Sequence, residues 1–283
     1  MNALEPQAVK DADHVLIGSV GIWLPGVPDL EHFKRGARGM EVAGSDYAPP
    51  GGKSIEPRSR RRASRLSRAM ADACIEAITG AGLDATRVPT VFGSALGEAA
   101  TMLTLLDQMW RGQEMSPMAF ATSVHSAASG VVSISSENRG FTTSLSADFD
   151  TASAAIMEAW GLTQTMRTPV IVVCGDDDSP KDFVPDEEAF DLVAVAISLC
   201  PSDHVFPDGK RALGRLTWPS ISAPTGAAPA LLASLEVSAR VGRNPQAGLL
   251  DLVAAVVAGK SGNVRLDRGR GSGHFIAFTA APP

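Results

Sequence analysis

RGFTTSLSADFDTASAAIMEAW, Arg139–Trp160, decides the fold. Its first half, Thr142–Ala147, is short, uncharged and partly β-branched, as a strand should be. From Asp150 the apolar positions change period: Ala152, Ala155, Ile156, Ala159 and Trp160 recur every three or four residues, as on one face of a helix. A strand that delivers directly into a long helix is half of a crossover unit. Upstream, Val88–Gly93 is a short apolar strand, and Leu96, Ala99, Leu103, Leu106 and Trp110 keep helical spacing. Between them and the decisive stretch lies SPMAFATSVHSAASGVVSI, Ser116–Ile134, whose small residues predict a closely packed helix in its second half.

The same alternation extends outward. HVLIGSVGI, His14–Ile22, reads as a buried strand, and DLEHFKRGARG as a short helix capped by Asp29. Residues 43–57 carry proline and glycine at turn density. Leu66, Met70, Ala73, Cys74, Ala77, Ile78 and Ala81 predict one amphipathic helix over Arg60–Ala81. Downstream, PVIVVC and FDLVAVAISL, Pro169–Cys174 and Phe190–Leu199, read as buried strands on either side of an acidic loop, Asp176–Glu188. Beyond Pro201 the pattern predicts helices at Ala227–Ala239 and Gln246–Ala258 and a closing strand pair at Asn263–Asp267 and His274–Thr279. The expectation is an α/β fold of three layers, with a mixed, mostly parallel sheet covered on both faces, in which Phe190–Leu199, with no convincing helix before it, is an antiparallel member.

Composition narrows the class. The chain has 283 residues, 45% hydrophobic and 20% charged, the balance of a globular protein with a sizeable core. A formal net charge of −6 argues against nucleic acid as the main partner. Cys74, Cys174 and Cys200 show neither a disulfide framework nor metal-ligand spacing, so a reduced cytoplasmic setting is expected. No window reaches the roughly 18 apolar residues of a membrane span, and MNALEPQAVKDADHV has no signal core.

Residues that could carry chemistry have plainer readings beside them. The glycines at Gly18–Gly21 and Gly93–Gly97 lack the dinucleotide and P-loop patterns and read as turns after strands. Arg58, Arg60, Arg61, Arg62, Arg65 and Arg68 gather at a predicted helix start, where they oppose the helix dipole. They form either a solvated face or a dock for an acidic partner or carrier protein. Asp176, Asp177 and Asp178 read as loop solvation or as metal ligands without a second cluster. His14, His32, His125, His204 and His274 read as structural. Ser94, in GSALG, lies at a strand-to-helix turn without the nucleophile-elbow pattern.

VFGSALGE, then SPMAFATSVHSAASGVVSI, then RGFTTSLSADFDTASAAIMEAW together resemble the N-terminal half of the β-ketoacyl synthases, which have the thiolase fold. HVLIGSVGIWLPG resembles the opening strand of that family, and RSRRRASRLSRAMADACIEAITGAGLD its long helix. The resemblance spans residues 14–200 in order, with 201–283 as an abbreviated C-terminal segment packing on the same domain, a truncated second half. Aligning SLSADFD with the family's S-I-x-T-A-C-x puts Phe149 at the nucleophilic cysteine. Phenylalanine has no lone pair to attack a thioester. A slip of one residue would bring Asp148 or Asp150 there instead. Of the histidines only His204 and His274 follow residue 200, neither in a T-G-H-like motif, and ISAPTGAAPALLASLE carries Ala227 where a histidine would be wanted.

The resemblance therefore implies a non-catalytic subunit, similar to the chain-length factors of aryl polyene or xanthomonadin-type pathways. It implies pairing with an active β-ketoacyl synthase, contact with an acyl carrier protein, and no cofactor or metal. The partner edge would be Thr142, Thr143, Ser144, Leu145, Ser146 and Ala147; the acyl pocket would be bordered by Met118, Phe120 and Phe149; the carrier protein would dock on Arg58, Arg61, Arg62 and Arg65. Two alternatives stay open. One is a binding module that recruits carrier protein through Arg58–Arg68, and the other is an acyltransferase or hydrolase using Ser94, Ser123 or His125.

Overall fold

A computed structural model describes residues 14–36, 47–181, 183–218, 239–267 and 273–282. Most of the expected helix Ala227–Ala239 lies outside them. The sheet has eight strands: β1 (His14–Trp23), β2 (Thr90–Gly93), β3 (Thr142–Leu145), β4 (Val170–Asp176), β5 (Val193–Cys200), β6 (Gly214–Thr217), β7 (Gly262–Arg265) and β8 (Phe275–Ala280). Their order is β3-β2-β4-β5-β1-β6-β8-β7.

The sheet is mixed, but the expected parallel majority is corrected. Only β3, β2 and β4 run parallel, and every neighbour pair from β4–β5 across to β8–β7 is antiparallel. A parallel neighbour requires a crossover long enough to return the chain to the same end. The connections β2–β3 and β3–β4 contain helices, whereas β4 and β5 are joined by a loop. Apolar runs such as VIVVC report burial on both faces and carry no information about direction.

Helices cover both faces. On one lie α3 (Arg65–Ala81) and α6 (Ala127–Ser135), whose Leu66, Met70, Ala73, Ala77 and Val132 pack with Phe92, Ile171, Val173 and Ala194. On the other lie α7 (Thr151–Met166) and α9 (Ala247–Ala258), whose Ala155, Ile156, Leu250 and Val253 pack with Val91, Val172, Val195 and Ile197. Successive residues of β4 thus serve opposite layers, the period of two that strand geometry imposes. The remaining helices are α1 (Leu30–Gly36), α2 (Pro57–Arg60), α4 (Ala99–Trp110), α5 (Pro117–Ala121) and α8 (Ala239–Arg243).

The single helix expected over Arg60–Ala81 is two. Ser64 caps α3 by accepting from Ser67 N–H, which sets a fresh start there, and Glu56 caps α2 through the N–H groups of Arg58 and Ser59. At its far end α3 stops at Gly82, which adopts the left-handed conformation (φ 71°). Gly18 and Gly21 lie inside β1, not in a turn. Gly21 is where α3 meets the sheet: a Cβ there would come within 2.1 Å of the Ala73 carbonyl oxygen. The segment after Pro201 extends the same sheet, with β6 paired to β1, β8 to β6 and β7 to β8.

Candidate functional site

The chain leaves β3, turns through Ala147–Asp150 and enters α7. The turn is tight and internally bonded. Asp150 N–H donates to Ala147 O (2.9 Å), Thr151 Oγ1 donates to Asp148 O (2.6 Å), and Ala147 N–H donates to Thr151 Oγ1 (2.9 Å). Asp148 is held at φ 50°, a conformation that costs a non-glycine residue of order 1 kcal/mol and is tolerated where surrounding structure fixes it. Phe149, half-buried, is the tip of this elbow.

Phe149 lines a cavity of about 740 Å³ together with Leu96, Phe183, Val184, Phe190 and Arg243. Leu96 follows β2, Phe149 follows β3, and Phe183, Val184 and Phe190 come from the loop after β4. The cavity therefore sits at the carboxyl ends of the three parallel strands, where open α/β sheets place ligands. Its walls are mainly apolar and aromatic. Asp148, Asp150 and Glu188 contribute carboxylates, and the Arg243 Nε–H is committed to Ala189 O (2.9 Å).

Beneath the cavity, Asp176 ties the parallel strands to α9. It is fully buried at the end of β4, which corrects its reading as loop solvation. Ser94 Oγ–H and Leu96 N–H donate to its Oδ1, both at 2.8 Å; Ala95 N–H (3.1 Å) and Gln246 Nε2–H (2.7 Å) donate to its Oδ2. Burial pushes this carboxyl above the usual carboxylate range, and the four donors oppose that rise. Asn244, also buried, bridges the carbonyls of Asp176 and Asp191. Neither Asn244 nor Gln246 stands out in the sequence. The signal was only two amides directly before an apolar helix.

β3 is the outermost strand at its end of the sheet. Thr142 and Ser144 turn toward β2 and α6, where Thr142 Oγ1 meets Thr90 Oγ1 at 2.9 Å and Ser144 Oγ donates to Ser129 Oγ at 2.9 Å. The bonds Thr90 N–H to Phe141 O and Ser94 N–H to Leu145 O fix the ladder's phase. The peptide groups of Thr142 and Ser144 consequently face away from the sheet. Ser146 is exposed and Ala147 half-buried in the elbow.

Beside this edge the apolar surface is extensive. α4 buries only Leu105 and exposes Met102, Leu106, Met109 and Trp110, the last 89% exposed. Phe120 (64%), Met118, Val124, Ile134 (73%) and Phe141 continue it along α5, α6 and the approach to β3. Met118 and Phe120 are thus on the outside of this chain and do not line the cavity beside Phe149.

The arginines divide. Arg58, Arg61 and Arg62 are exposed, whereas Arg65 is drawn inward. Its guanidinium donates to Asp178 Oδ2 (2.9 Å) and to the Tyr47 hydroxyl (2.7 Å), and lies 3.8 Å from Asp177 Oδ1. Arg65 therefore locks α3 to the loop after β4, and Asp177 and Asp178 face it, so neither acts as loop solvation alone. Ser94 is 4% exposed and bonded to Asp176, and Ser123 Oγ–H donates to Phe120 O. His125 packs against Gly97, His32 pairs with Asp29, His204 stacks edge-on against Phe206, and His274 pairs with Asp267. No histidine lines the cavity, and no cluster able to hold a metal ion occurs among the described residues.

Three layers, a strand-elbow-helix at the carboxyl ends of parallel strands and an unpaired edge strand define a thiolase-type α/β protein. Solved structures agree. A ketosynthase (ApeO) in complex with its chain length factor (ApeC) from Xenorhabdus doucetiae matches with a TM-score of 0.65 at 18% identity, covering 94% of this chain and 98% of that one. The ishigamide ketosynthase/chain length factor matches with a TM-score of 0.67 at 13% identity, covering 94% and 98%. AntDE:AntF, a type II PKS acyl-carrier protein in complex with its ketosynthase, matches with a TM-score of 0.69 at 16% identity, covering 95% and 99%. Residues 37–215 match the family described as β-ketoacyl synthase, N-terminal domain, and the chain belongs to that family. No curated protein sequence matches it significantly.

Proposed function

We propose that this chain is a chain-length-factor-type subunit that performs no condensation itself, pairs with an active, cysteine-bearing β-ketoacyl synthase, and shapes the pocket in which the acyl chain grows. The observation that carries the reading is the residue at the elbow. Aligning SLSADFD with the family's nucleophile segment brings Phe149 to that position, at the elbow after β3, and an aromatic ring there would fill space but could not attack a thioester. The unpaired β3 edge, flanked by exposed Met118, Phe120, Ile134 and Phe141, supports the pairing, because an uncharged edge beside a large apolar patch is a surface built to be covered. On this reading Met118 and Phe120, facing outward, border the partner's channel, while Phe149 closes this chain's own cavity.

Finer features belong to the same proposal. The product is of fatty-acid or polyketide type, with an aryl polyene-like chain as the expected class. An acyl carrier protein serves the pair, docking on the exposed Arg58, Arg61 and Arg62. The setting is the reducing cytoplasm, in keeping with free, buried Cys74, Cys174 and Cys200; no described helix is long and apolar enough to cross a membrane. A recruiting module that binds carrier protein without shaping a tunnel is the second reading, favoured by those same exposed arginines. Reconstitution with a partner ketosynthase and carrier protein separates the two. Replacing Met118 or Phe120 by alanine should lengthen the product, whereas Arg61→Glu with Arg62→Glu should lower the rate and leave product length alone. A product distribution unmoved by both Met118→Ala and Phe120→Ala would reject the tunnel-shaping role.

A further inference from the structure

Asp150, in the capping position of α7, makes no side-chain hydrogen bond to the helix. The carboxylate that serves α7 comes from the other end of the chain. Asp267, just beyond β7 and fully buried, accepts from Ser153 N–H, the third residue of α7, through Oδ1 (3.2 Å). Its Oδ2 accepts from His274 N–H (2.8 Å) and contacts His274 Nδ1 (2.7 Å). The first amides of a helix lack partners within it and lie at the positive end of its dipole, so a buried carboxylate there both satisfies a donor and finds favourable potential.

We infer that Asp267 is a positioning residue for Phe149: it caps α7 from across the fold and so sets where the elbow ring stands in the cavity. The mechanical link is short. Asp150 N–H to Ala147 O, Thr151 Oγ1–H to Asp148 O and Ala147 N–H to Thr151 Oγ1 join the elbow and the first turn of α7 into one bonded unit. A rotation of that helical turn must carry the Phe149 ring with it. His274, 24% exposed, holds Asp267 in orientation, so β7 and β8 act on the elbow through this carboxylate. The inference rests on reading Phe149 as a wall of the cavity. Its test reads ring position directly and is independent of whether an acyl chain binds there.

The test is ¹⁹F NMR of the full chain carrying 4-trifluoromethylphenylalanine at position 149. Asp267→Asn places an amide N–H against His274 or Ser153, and Ser153→Pro deletes the donor N–H at a first-turn position that tolerates proline. The two variants break the same bond from opposite sides, so either one that folds decides the question. Val264→Ala, in β7, loosens the same hairpin while leaving the cap in place and serves as the stability control. His274→Ala keeps the Ser153 bond. The expected result is a line displaced by more than its width, or split, in Asp267→Asn and Ser153→Pro, a smaller displacement in His274→Ala, and an unchanged line in Val264→Ala. An unchanged line in a folded Asp267→Asn or Ser153→Pro protein, or an equal displacement in Val264→Ala, would overturn the inference.

Discussion

Phe149 is the residue at which the proposed function departs from condensation chemistry. On the proposed reading a restored thiol would still lack the histidines that stabilise the oxyanion and promote decarboxylation, since none of the described histidines lines the cavity. Phe149→Cys alone is therefore expected to yield no condensation product when the partner is absent, as read by mass spectrometry after incubation with acyl and malonyl thioesters. Glu98 makes a second case at this scale. It is buried, and both Ser64 Oγ–H and Ser67 Oγ–H donate to one of its oxygens, Oε1, at 2.7 and 2.8 Å. Burial raises its pKa above the ordinary 4.5, the serines oppose the rise and Asp177 adds to it. A carboxyl whose folded pKa is raised stabilises most below its unfolded value and loses that contribution as pH climbs through the folded value. Glutamine keeps the Oε1 acceptor without the charge. Glu98→Gln should thus match the wild type in denaturant midpoint below about pH 4.5 and exceed it increasingly toward neutral pH. Asp176 behaves oppositely on substitution. Asp176→Ala strands four buried or partly buried donors, each costing about 1–3 kcal/mol, so a loss of several kcal/mol is expected in chemical denaturation.

Among the elements, β3 carries the sharpest expectation. Thr142 opens the strand and its N–H points away from β2, so proline there removes no ladder bond inside the chain. Thr142→Pro forfeits the hydroxyl contact with Thr90, worth about 1 kcal/mol, and should lower the melting temperature by only a few degrees. Co-purification with a ketosynthase should fall at least tenfold if the edge pairs with the partner. The elements also show where sequence reading succeeds and fails. Continuous apolar runs mark β1, β4 and β5, and three-four spacing marks α3 and α7, because burial writes itself into local pattern; α4 keeps the same spacing although it buries only Leu105. Strand direction is legible only where the connection is: the missing helix before Phe190–Leu199 marks β5 as antiparallel, whereas the antiparallel strands beyond β1 leave no such sign. The break between α2 and α3 hung on Ser64, one capping hydroxyl among many serines.

For the whole molecule, local pattern within Arg139–Trp160 marks a strand that leads into a helix, while its reading as an elbow and a partner edge comes from the family resemblance. What remained hidden came from distance along the chain. In sequence Arg65 is one member of a basic patch, and only the fold brings Tyr47 and Asp178 around it; Asp176 reads as loop, and only the fold brings Ser94 and Gln246 to it. Contacts between positions tens of residues apart leave no local trace. The same holds for the apolar surface over α4, α5 and α6, which in sequence is indistinguishable from core: Met102, Leu106 and Trp110 keep perfect helical spacing yet stand in the open. A face of that size on a member of the β-ketoacyl synthase family is the strongest physical pointer to a second subunit. Native mass spectrometry after co-expression with a cysteine-bearing ketosynthase measures this most directly. The account predicts a one-to-one complex that Ile134→Asp together with Phe120→Asp dissolves while each chain stays folded; a stable monomer that binds no ketosynthase would contradict it.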